Sequence, residues 1–199
     1  MRIAGNLVFC LLIFLHPVLN AQNADIRLLR TFNSPGNLSS DGFFRFVSDT
    51  EPYLVIMTPL ATGGYGLVRK NEKQFRIACV IASSSLVCAG VTNLLKYSIG
   101  RDRPFITYPD IIQKYHADSP SFPSGHTSSA FATATSLSLA YSKWYVAVPA
   151  YGWAATVGYS RMHLGVHYPS DVFAGAVIGA GSAWLTHIIN KKLLNNHSK

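Results

Sequence analysis

The sequence predicts an all-α protein that forms a membrane helical bundle with about five transmembrane helices. Hydrophobic residues make up 49% of its 199 residues, and charged residues make up only 13%. That charged share is about half of what is usual in a soluble domain. Five apolar segments occur along this short chain, and basic residues concentrate in alternate connections between them. The length suits one domain or one small bundle and leaves no room for two independent cores.

The N-terminus has the features of a secretory signal peptide. Arg2 precedes a run of apolar residues, and Ala21 is small enough to be the last residue before cleavage. A proline and polar residues near the end of this stretch make it a poor membrane span, which needs about 20 apolar residues. We predict a signal peptide over 1–21 and one membrane domain over 22–199. An uncleaved N-terminal anchor, giving six transmembrane helices, is the alternative.

The next stretch, 24–50, alternates charged residues with Leu and Phe. This pattern is typical of short amphipathic helices on a membrane surface, and an ordinary polar linker is the other interpretation. Five apolar segments follow at 53–68, 77–95, 126–141, 144–159 and 172–189.

Several of these segments are short for a hydrocarbon core of about 30 Å, so we expect flanking residues to extend each helix. The last segment contains Gly175 and Gly179 as G-x-x-x-G, which favours close packing between membrane helices. A fully buried soluble helical bundle is the alternative for the five segments.

Basic residues predict the orientation of the bundle. They are concentrated at 69–76, at 142–143 and after residue 190. If these connections are cytoplasmic, every inner turn obeys the positive-inside rule. All acidic residues except Glu72 then lie on the opposite, outer side of the membrane. We therefore predict a multi-pass membrane protein whose outer-face regions are 22–52, 96–125 and 160–171.

Charge and cysteine content exclude several other classes of protein. The net charge of +8 comes without a Lys/Arg block interleaved with aromatic residues, so we predict no nucleic-acid partner. Cys79 and Cys88 fall on opposite faces of one predicted helix and cannot pair within it. Without a C-x-x-C motif or a Cys/His cluster, neither a disulfide framework nor a structural zinc is indicated.

Three groups of polar residues lie in the predicted outer regions. They are KYSIGRDRP, with Lys96 and Arg103; PSGH, at 123–126; and SRMHLGVHYPSD, with Arg161, His167 and Asp171. A phosphoryl group in transfer spreads negative charge over three oxygens, and its catalysis is mainly positioning and electrostatic stabilisation. Arginine donates two parallel hydrogen bonds to phosphate oxygens, and lysine supplies a compact charge. The pattern therefore predicts a phosphate site.

The other motif residues fit definite tasks at such a site. Ser124 offers a hydroxyl, and the backbone N–H of Gly125 can approach a phosphate closely at a helix N-terminus. His167 and Asp171 are four residues apart, so the carboxylate can orient the imidazole while its other nitrogen attacks phosphorus. His126 suits a general acid that later acts as a general base.

These motifs resemble those of the type 2 phosphatidic acid phosphatase superfamily, which shares its site with class A acid phosphatases and vanadium haloperoxidases. The family pattern K-x6-RP, PSGH, SR-x5-H-x3-D is matched at every fixed position across 96–171. The resemblance implies an integral-membrane lipid phosphatase that forms a phosphohistidine intermediate. Since Asp171 is the only acid at a fixed position, we expect no metal and no cofactor.

The substrate implied by the resemblance is a lipid phosphate or pyrophosphate. The family offers phosphatidylglycerophosphate, phosphatidate, undecaprenyl pyrophosphate and the lipid A phosphates. The resemblance also implies a bacterial inner membrane as the location, with the active site facing the periplasm. We expect membrane lipids as surroundings and no obligate protein partner. The alternatives are a lipid-linked phosphotransferase, a vanadate-dependent haloperoxidase, a soluble periplasmic phosphatase, and a transporter or scaffold that retains the phosphate site.

The sequence also predicts where further polar residues lie. His163 is expected at the surface or interface, with pocket lining as the alternative, and Asp102 is expected to pair with Arg101 or to reduce the positive field. Lys114 and His116 are expected in a solvated loop, with contact to a substrate head group as the alternative. Trp184 and His187 are expected at the inner membrane interface.

Overall fold

A computed structural model describes residues 24–33 and 38–197 of the chain. The predicted signal peptide over 1–21 lies outside the described residues. Within those ranges the chain is helical or irregular and has no strand, which confirms the all-α prediction. The helices are α1 (24–32), α2 (Leu38–Val68), α3 (Glu72–Ile99), α4 (Pro104–Thr107), α5 (Gly125–Tyr141), α6 (Trp144–His163) and α7 (Pro169–His197).

Each of the five predicted apolar segments lies inside one of the five long helices α2, α3, α5, α6 and α7. Two described stretches, Glu72–Thr107 and Pro169–Leu193, are long and apolar enough to cross a membrane by length and composition. The number of transmembrane helices remains a prediction. The stretch 24–50 is not one irregular linker, because α1 occupies its start and the long helix α2 takes in its end.

The bundle has an apolar outside and an interior rich in small and polar residues. Large apolar side chains are exposed along the long helices, among them Leu60, Leu86, Val148, Phe173 and Leu193. The central helix α5 instead buries alanine, serine and threonine, and it contacts α2, α3, α6 and α7. Small interior residues let helix backbones approach closely, as is usual where lipid surrounds a bundle.

The closest of these approaches joins α5 to α7 at the predicted G-x-x-x-G. A Cβ atom on Gly179 would lie 2.1 Å from the carbonyl oxygen of Ser128, and one on Gly175 would lie 2.8 Å from that of Ser124. Ser124 is the N-cap of α5. The two glycines therefore fix the position of the N-terminus of α5 against α7.

Helix α1 is amphipathic and packs on the loops at the same end of the bundle as the N-terminus of α5. Ile26 and Leu29 are buried in a cluster with Ile111 and Tyr168. On its exposed side, the Nε atom of Arg30 lies 2.7 Å from a carboxylate oxygen of Asp110.

We predict that Gly179→Ala destabilises the bundle, because its new methyl group would collide with the backbone of α5. Overpacking of this kind costs about 1–3 kcal/mol. Thermal unfolding in detergent should show a midpoint several degrees lower. Gly181→Ala is the matched control on the same helix, since a Cβ atom there meets nothing within 4 Å. Equal midpoints for the two variants would contradict the proposed contact.

Candidate active site

The three predicted motifs converge at one end of the bundle. Lys96 lies in the last turn of α3, and Arg103 is the N-cap of α4. Arg161 lies in the last turn of α6, His167 lies in the loop 164–168, and Asp171 lies in the first turn of α7. All five side chains are buried. The fold thus encloses three cations, an imidazole and a carboxylate in one small volume.

The imidazole of His167 is held between a carboxylate and a guanidinium. Its Nδ1 atom lies 3.4 Å from Oδ2 of Asp171, and its Nε2 atom lies 3.4 Å from Nη1 of Arg103. Burial lowers the pKa of His167 to about 3; Asp171 opposes this shift, and Arg161 and Arg103 add to it. The ring is therefore neutral at physiological pH. A neutral imidazole with Nδ1 turned to the carboxylate keeps the lone pair of Nε2 for a phosphorus atom.

Asp171 accepts hydrogen bonds from several donors besides facing His167. Its Oδ2 atom accepts from the Ser121 hydroxyl at 2.5 Å and from the Tyr168 backbone N–H at 2.9 Å. Its Oδ1 atom accepts from Nη1 of Arg101 at 2.6 Å. These donors fix the orientation of the carboxylate. The motif analysis missed Ser121, since no fixed spacing relates this serine to Asp171.

Lys96 and Arg103 donate to the backbone of the loop that precedes α5. The Nζ atom of Lys96 donates to the Pro120 carbonyl at 2.6 Å, and the Nε atom of Arg103 donates to the Ser119 carbonyl at 2.8 Å. Arg103 also donates from Nη1 to the Val166 carbonyl at 2.8 Å. Neutral carbonyls satisfy the N–H groups without cancelling the positive charge, which stays available to an anion.

Arg161 is buried with an incomplete set of hydrogen bonds. Its Nη1 atom donates to the Ser48 hydroxyl at 2.9 Å, and its guanidinium carbon lies 4.5 Å from the centre of the Tyr115 ring. Its Nε atom has no hydrogen-bond partner among the described residues. A buried donor left unpaired is costly, and an oxygen of a bound phosphate would satisfy it.

The PSGH residues lie at the N-terminus of α5, beside the other motif residues. The backbone N–H of Ser124 donates to the Asp171 carbonyl at 3.1 Å, and the Ser124 hydroxyl accepts from Thr127 at 2.8 Å. Gly125 begins the helix, and a Cβ atom there would lie 3.8 Å from the Lys96 side chain. His126 is half-buried, with its ring perpendicular to that of Tyr115.

Residues 76–194 match the family model of the PAP2 superfamily. This match covers more than half of the chain and confirms the family that the motifs predict. The chain belongs to the PAP2 superfamily.

Two PAP2 relatives and one solved structure show how far the similarity extends. A lipid A 1-phosphatase from Porphyromonas gingivalis is 34% identical over 160 residues, which cover 76% of this chain and 34% of the relative. A lipid A 4'-phosphatase from Bacteroides thetaiotaomicron is 32% identical over 125 residues, covering 59% of this chain and 53% of the relative. This chain thus spans from about a third to about half of these relatives.

The crystal structure of Aquifex aeolicus LpxE superposes with a TM-score of 0.70 and 26% sequence identity, covering 82% of this chain and 94% of that chain. The PAP2 match begins within α3, so α1 and α2 lie outside it. Even so, Ser48 of α2 and Asp25 of α1 belong to the hydrogen-bond network of the PAP2 motif residues.

Two predictions about residues beside the PAP2 motifs are wrong. His163 is buried rather than at the surface, with Nε2 lying 2.6 Å from Oδ1 of Asp41. Lys114 is also buried, and its Nζ atom donates to the same oxygen at 2.8 Å. The two side chains share one carboxylate because the start of α2, the end of α6 and the loop before α5 pack together. His116 is exposed as predicted and lies 2.9 Å from Asp118.

Of the two alternatives for Asp102, the pairing with Arg101 is wrong, because Arg101 donates to Asp171 and Asp25 while Asp102 is exposed. Trp184 is exposed and His187 is half-buried, and their place at the inner interface stays a prediction. In the part of the chain that the structure describes, no group of three or more His, Cys, Asp or Glu residues is arranged to hold a metal ion.

Gly165 shapes the PAP2 loop that carries His167. Its φ of +72° lies in the left-handed region, and a Cβ atom there would lie 2.3 Å from the Ile112 carbonyl oxygen. We predict that Gly165→Ala displaces the loop and weakens vanadate binding at least about tenfold, since a shift of about 1 Å can cost far more at a preorganised site. Isothermal titration with vanadate measures the loss.

The matched control for this loop is Gly100→Ala. Gly100 has a φ of +63°, but a Cβ atom there meets nothing within 4 Å. It shares the backbone strain without the collision, so its vanadate affinity should fall less. Equal losses at the two glycines would show that the close contact with Ile112 is unimportant.

Proposed function

We propose that this chain is a membrane phosphatase that hydrolyses a lipid phosphate or pyrophosphate at the outer face of the membrane through a phosphohistidine at His167. The observation that carries this proposal is the buried His167 ring, with Nδ1 facing Asp171 and Nε2 facing Arg103. That arrangement orients Nδ1 toward the carboxylate and places Nε2 at the cationic pocket, beside Arg103. The same pocket supports phosphoryl transfer without a metal, because its cations can neutralise the phosphate oxygens.

The first step transfers the phosphoryl group from the lipid to the enzyme. The lone pair of His167 Nε2 forms a bond to phosphorus, and the bond from phosphorus to the lipid oxygen breaks. His126 donates a proton to that oxygen as it leaves. Lys96, Arg103 and Arg161 stabilise the charge on the three phosphoryl oxygens. Asp171 stabilises the positive charge that the phosphorylated imidazole gains.

The second step returns the enzyme to its starting state. His126, now neutral, accepts a proton from water while the water oxygen attacks phosphorus. The bond from phosphorus to His167 Nε2 breaks, its electron pair returns to the ring, and inorganic phosphate leaves. One histidine thus serves as acid in the first step and as base in the second.

The relatives and the surface support a lipid as the carrier of the phosphate. The two curated relatives are named as lipid A 1-phosphatase and lipid A 4'-phosphatase. The exposed apolar side chains of the long helices suit a bilayer, in which the acyl chains of a substrate would remain while its head group enters the cationic site. We therefore place a lipid A phosphate first among the candidate substrates. The distribution of basic residues supports a site on the periplasmic side of a bacterial inner membrane.

We predict that the detergent-purified protein releases phosphate from lipid A phosphates in the presence of EDTA, and that His167→Ala lowers turnover by about 10³-fold or more, as losing a nucleophile usually does. A panel containing lipid A, phosphatidate, phosphatidylglycerophosphate and undecaprenyl pyrophosphate ranks the substrates. His116→Ala is the control, because that histidine is exposed and occupies none of the fixed positions of the PAP2 motifs. Wild-type turnover in His167→Ala would exclude His167 as nucleophile.

We also predict that a phosphorylated enzyme can be trapped. With a lipid labelled in its phosphate, rapid quenching in alkali should leave label on the protein, and acid should remove it, as expected for phosphohistidine. Label should be absent from His167→Ala and present in His116→Ala. Label that survives acid treatment would point to a different nucleophile.

A further inference from the structure

Helix α1 lies outside the region that matches the family, yet it packs directly on the loop that carries His167. Ile26 and Leu29 are buried against Tyr168, the residue next to His167. Asp25, in the first turn of α1, is also buried, with a side chain that is 8% exposed. A carboxylate buried to this extent needs partners that satisfy its charge and its oxygens.

Asp25 has these partners at the start of α7 and after α3. Its Oδ1 atom accepts from the backbone N–H of Ser170 at 2.9 Å, and its Oδ2 atom accepts from the Ser170 hydroxyl at 2.5 Å. Oδ2 also accepts from Nη2 of Arg101 at 2.8 Å. The aspartate therefore joins α1 to the residue that directly precedes Asp171.

Arg101 extends this chain of contacts to the carboxylate that faces His167. Its Nη1 atom donates to Oδ1 of Asp171 at 2.6 Å, and its guanidinium carbon lies 3.8 Å from the centre of the Tyr168 ring. The two nitrogens of one rigid guanidinium thus hold Asp25 on one side and Asp171 on the other. Because the guanidinium is planar and rigid, it fixes the position of one carboxylate relative to the other and couples their charges.

The charges of these groups decide what Asp171 can do for His167. Arg101 alone would neutralise Asp171, leaving no net negative charge beside the imidazole. With Asp25 present, two carboxylates and one guanidinium sum to one negative charge. The other charged side chains of the motif site are Lys96, Arg103 and Arg161, which are all positive. The charge of Asp25 therefore opposes a field that would otherwise disfavour a positively charged ring.

We propose that Asp25 is a positioning residue for the reaction at His167: through Arg101 it orients Asp171 and preserves the net negative charge that stabilises the phosphorylated imidazole. This inference rests on the proposed function, since it concerns the same intermediate. It extends the site to a helix that the family motifs do not include.

The test is the nearly isosteric variant Asp25→Asn, which removes the charge while keeping an oxygen that can accept a hydrogen bond. We expect kcat for lipid phosphate hydrolysis to fall at least tenfold, and KM to change less than threefold, because Lys96, Arg103 and Arg161 still bind the phosphate. The rate of phosphoenzyme formation in a single turnover should fall by the same factor as kcat. Asp25→Glu keeps the charge and should recover most of the loss.

Two comparisons separate this role from simple docking of α1. Asp110→Asn breaks the exposed Arg30–Asp110 pair, which also ties α1 to the loop before α5, and it should leave kcat unchanged. In an Arg101→Met background, Asp25→Asn should have less than a third of its effect on kcat, because the two residues act through the same contact.

The inference is overturned if Asp25→Asn keeps the wild-type kcat, if Asp25→Glu loses as much activity as Asp25→Asn, or if the effect is undiminished in Arg101→Met. Thermal unfolding in detergent detects whether Asp25→Asn fails to fold. In that case the kcat values of Asp25→Glu and Arg101→Met still test the inference. Failure of the wild-type chain to release phosphate from any lipid would instead overturn the proposed function.

Discussion

The burial of three cationic side chains is the constraint on which the rest of this structure depends. Taking Lys96, Arg103 and Arg161 out of water costs several kcal/mol per charge unless each finds partners. The protein supplies mainly neutral partners, which are backbone carbonyls for Lys96 and Arg103 and the Ser48 hydroxyl for Arg161. These neutral partners accept hydrogen bonds from the N–H groups without cancelling the positive charge of the three side chains. An anion with several oxygens is the ligand that such a site binds best.

The fold holds these cations together against their mutual repulsion. The N-terminus of α5 is fixed against α7 by the close contacts at Gly175 and Gly179, and the loop before α5 is held by hydrogen bonds from Lys96 and Arg103. Packing of small residues at the helix contacts thus makes the site rigid. A rigid set of charges is what stabilises a phosphoryl group in transfer, because no reorganisation is needed when its charge develops.

The helices before the family region serve the same site. The Ser48 hydroxyl of α2 accepts a hydrogen bond from Arg161, and Asp25 of α1 accepts one from Arg101. A second buried network, in which Asp41 contacts His163 and Lys114, joins α2 to α6 and to the loop before α5. Helices α1 and α2 are therefore structural parts of the site.

Much of this protein could be predicted from its sequence, because the relevant signals are local. Apolar segments identify the five long helices, and the fixed spacings of the PAP2 motifs single out Lys96, Arg103, His126, Arg161, His167 and Asp171. A helix depends on residues close in sequence, and a motif keeps its spacing because one short segment must place several groups. The G-x-x-x-G at Gly175 and Gly179 likewise predicts a close helix contact, although it does not say which helix is the partner.

Only the tertiary structure decided which ionisable side chains meet. Arg101 was expected beside its neighbour Asp102, yet it bonds to Asp171 and Asp25, which are 70 and 76 residues away in the chain. His163 and Lys114 were expected near solvent, yet they share the carboxylate of Asp41. A buried charge takes the opposite charge that packing brings closest, and packing depends on how whole helices are arranged. The sequence thus determined the helices and the residues of the candidate phosphate site, whereas the arrangement of the helices determined which side chains support those residues.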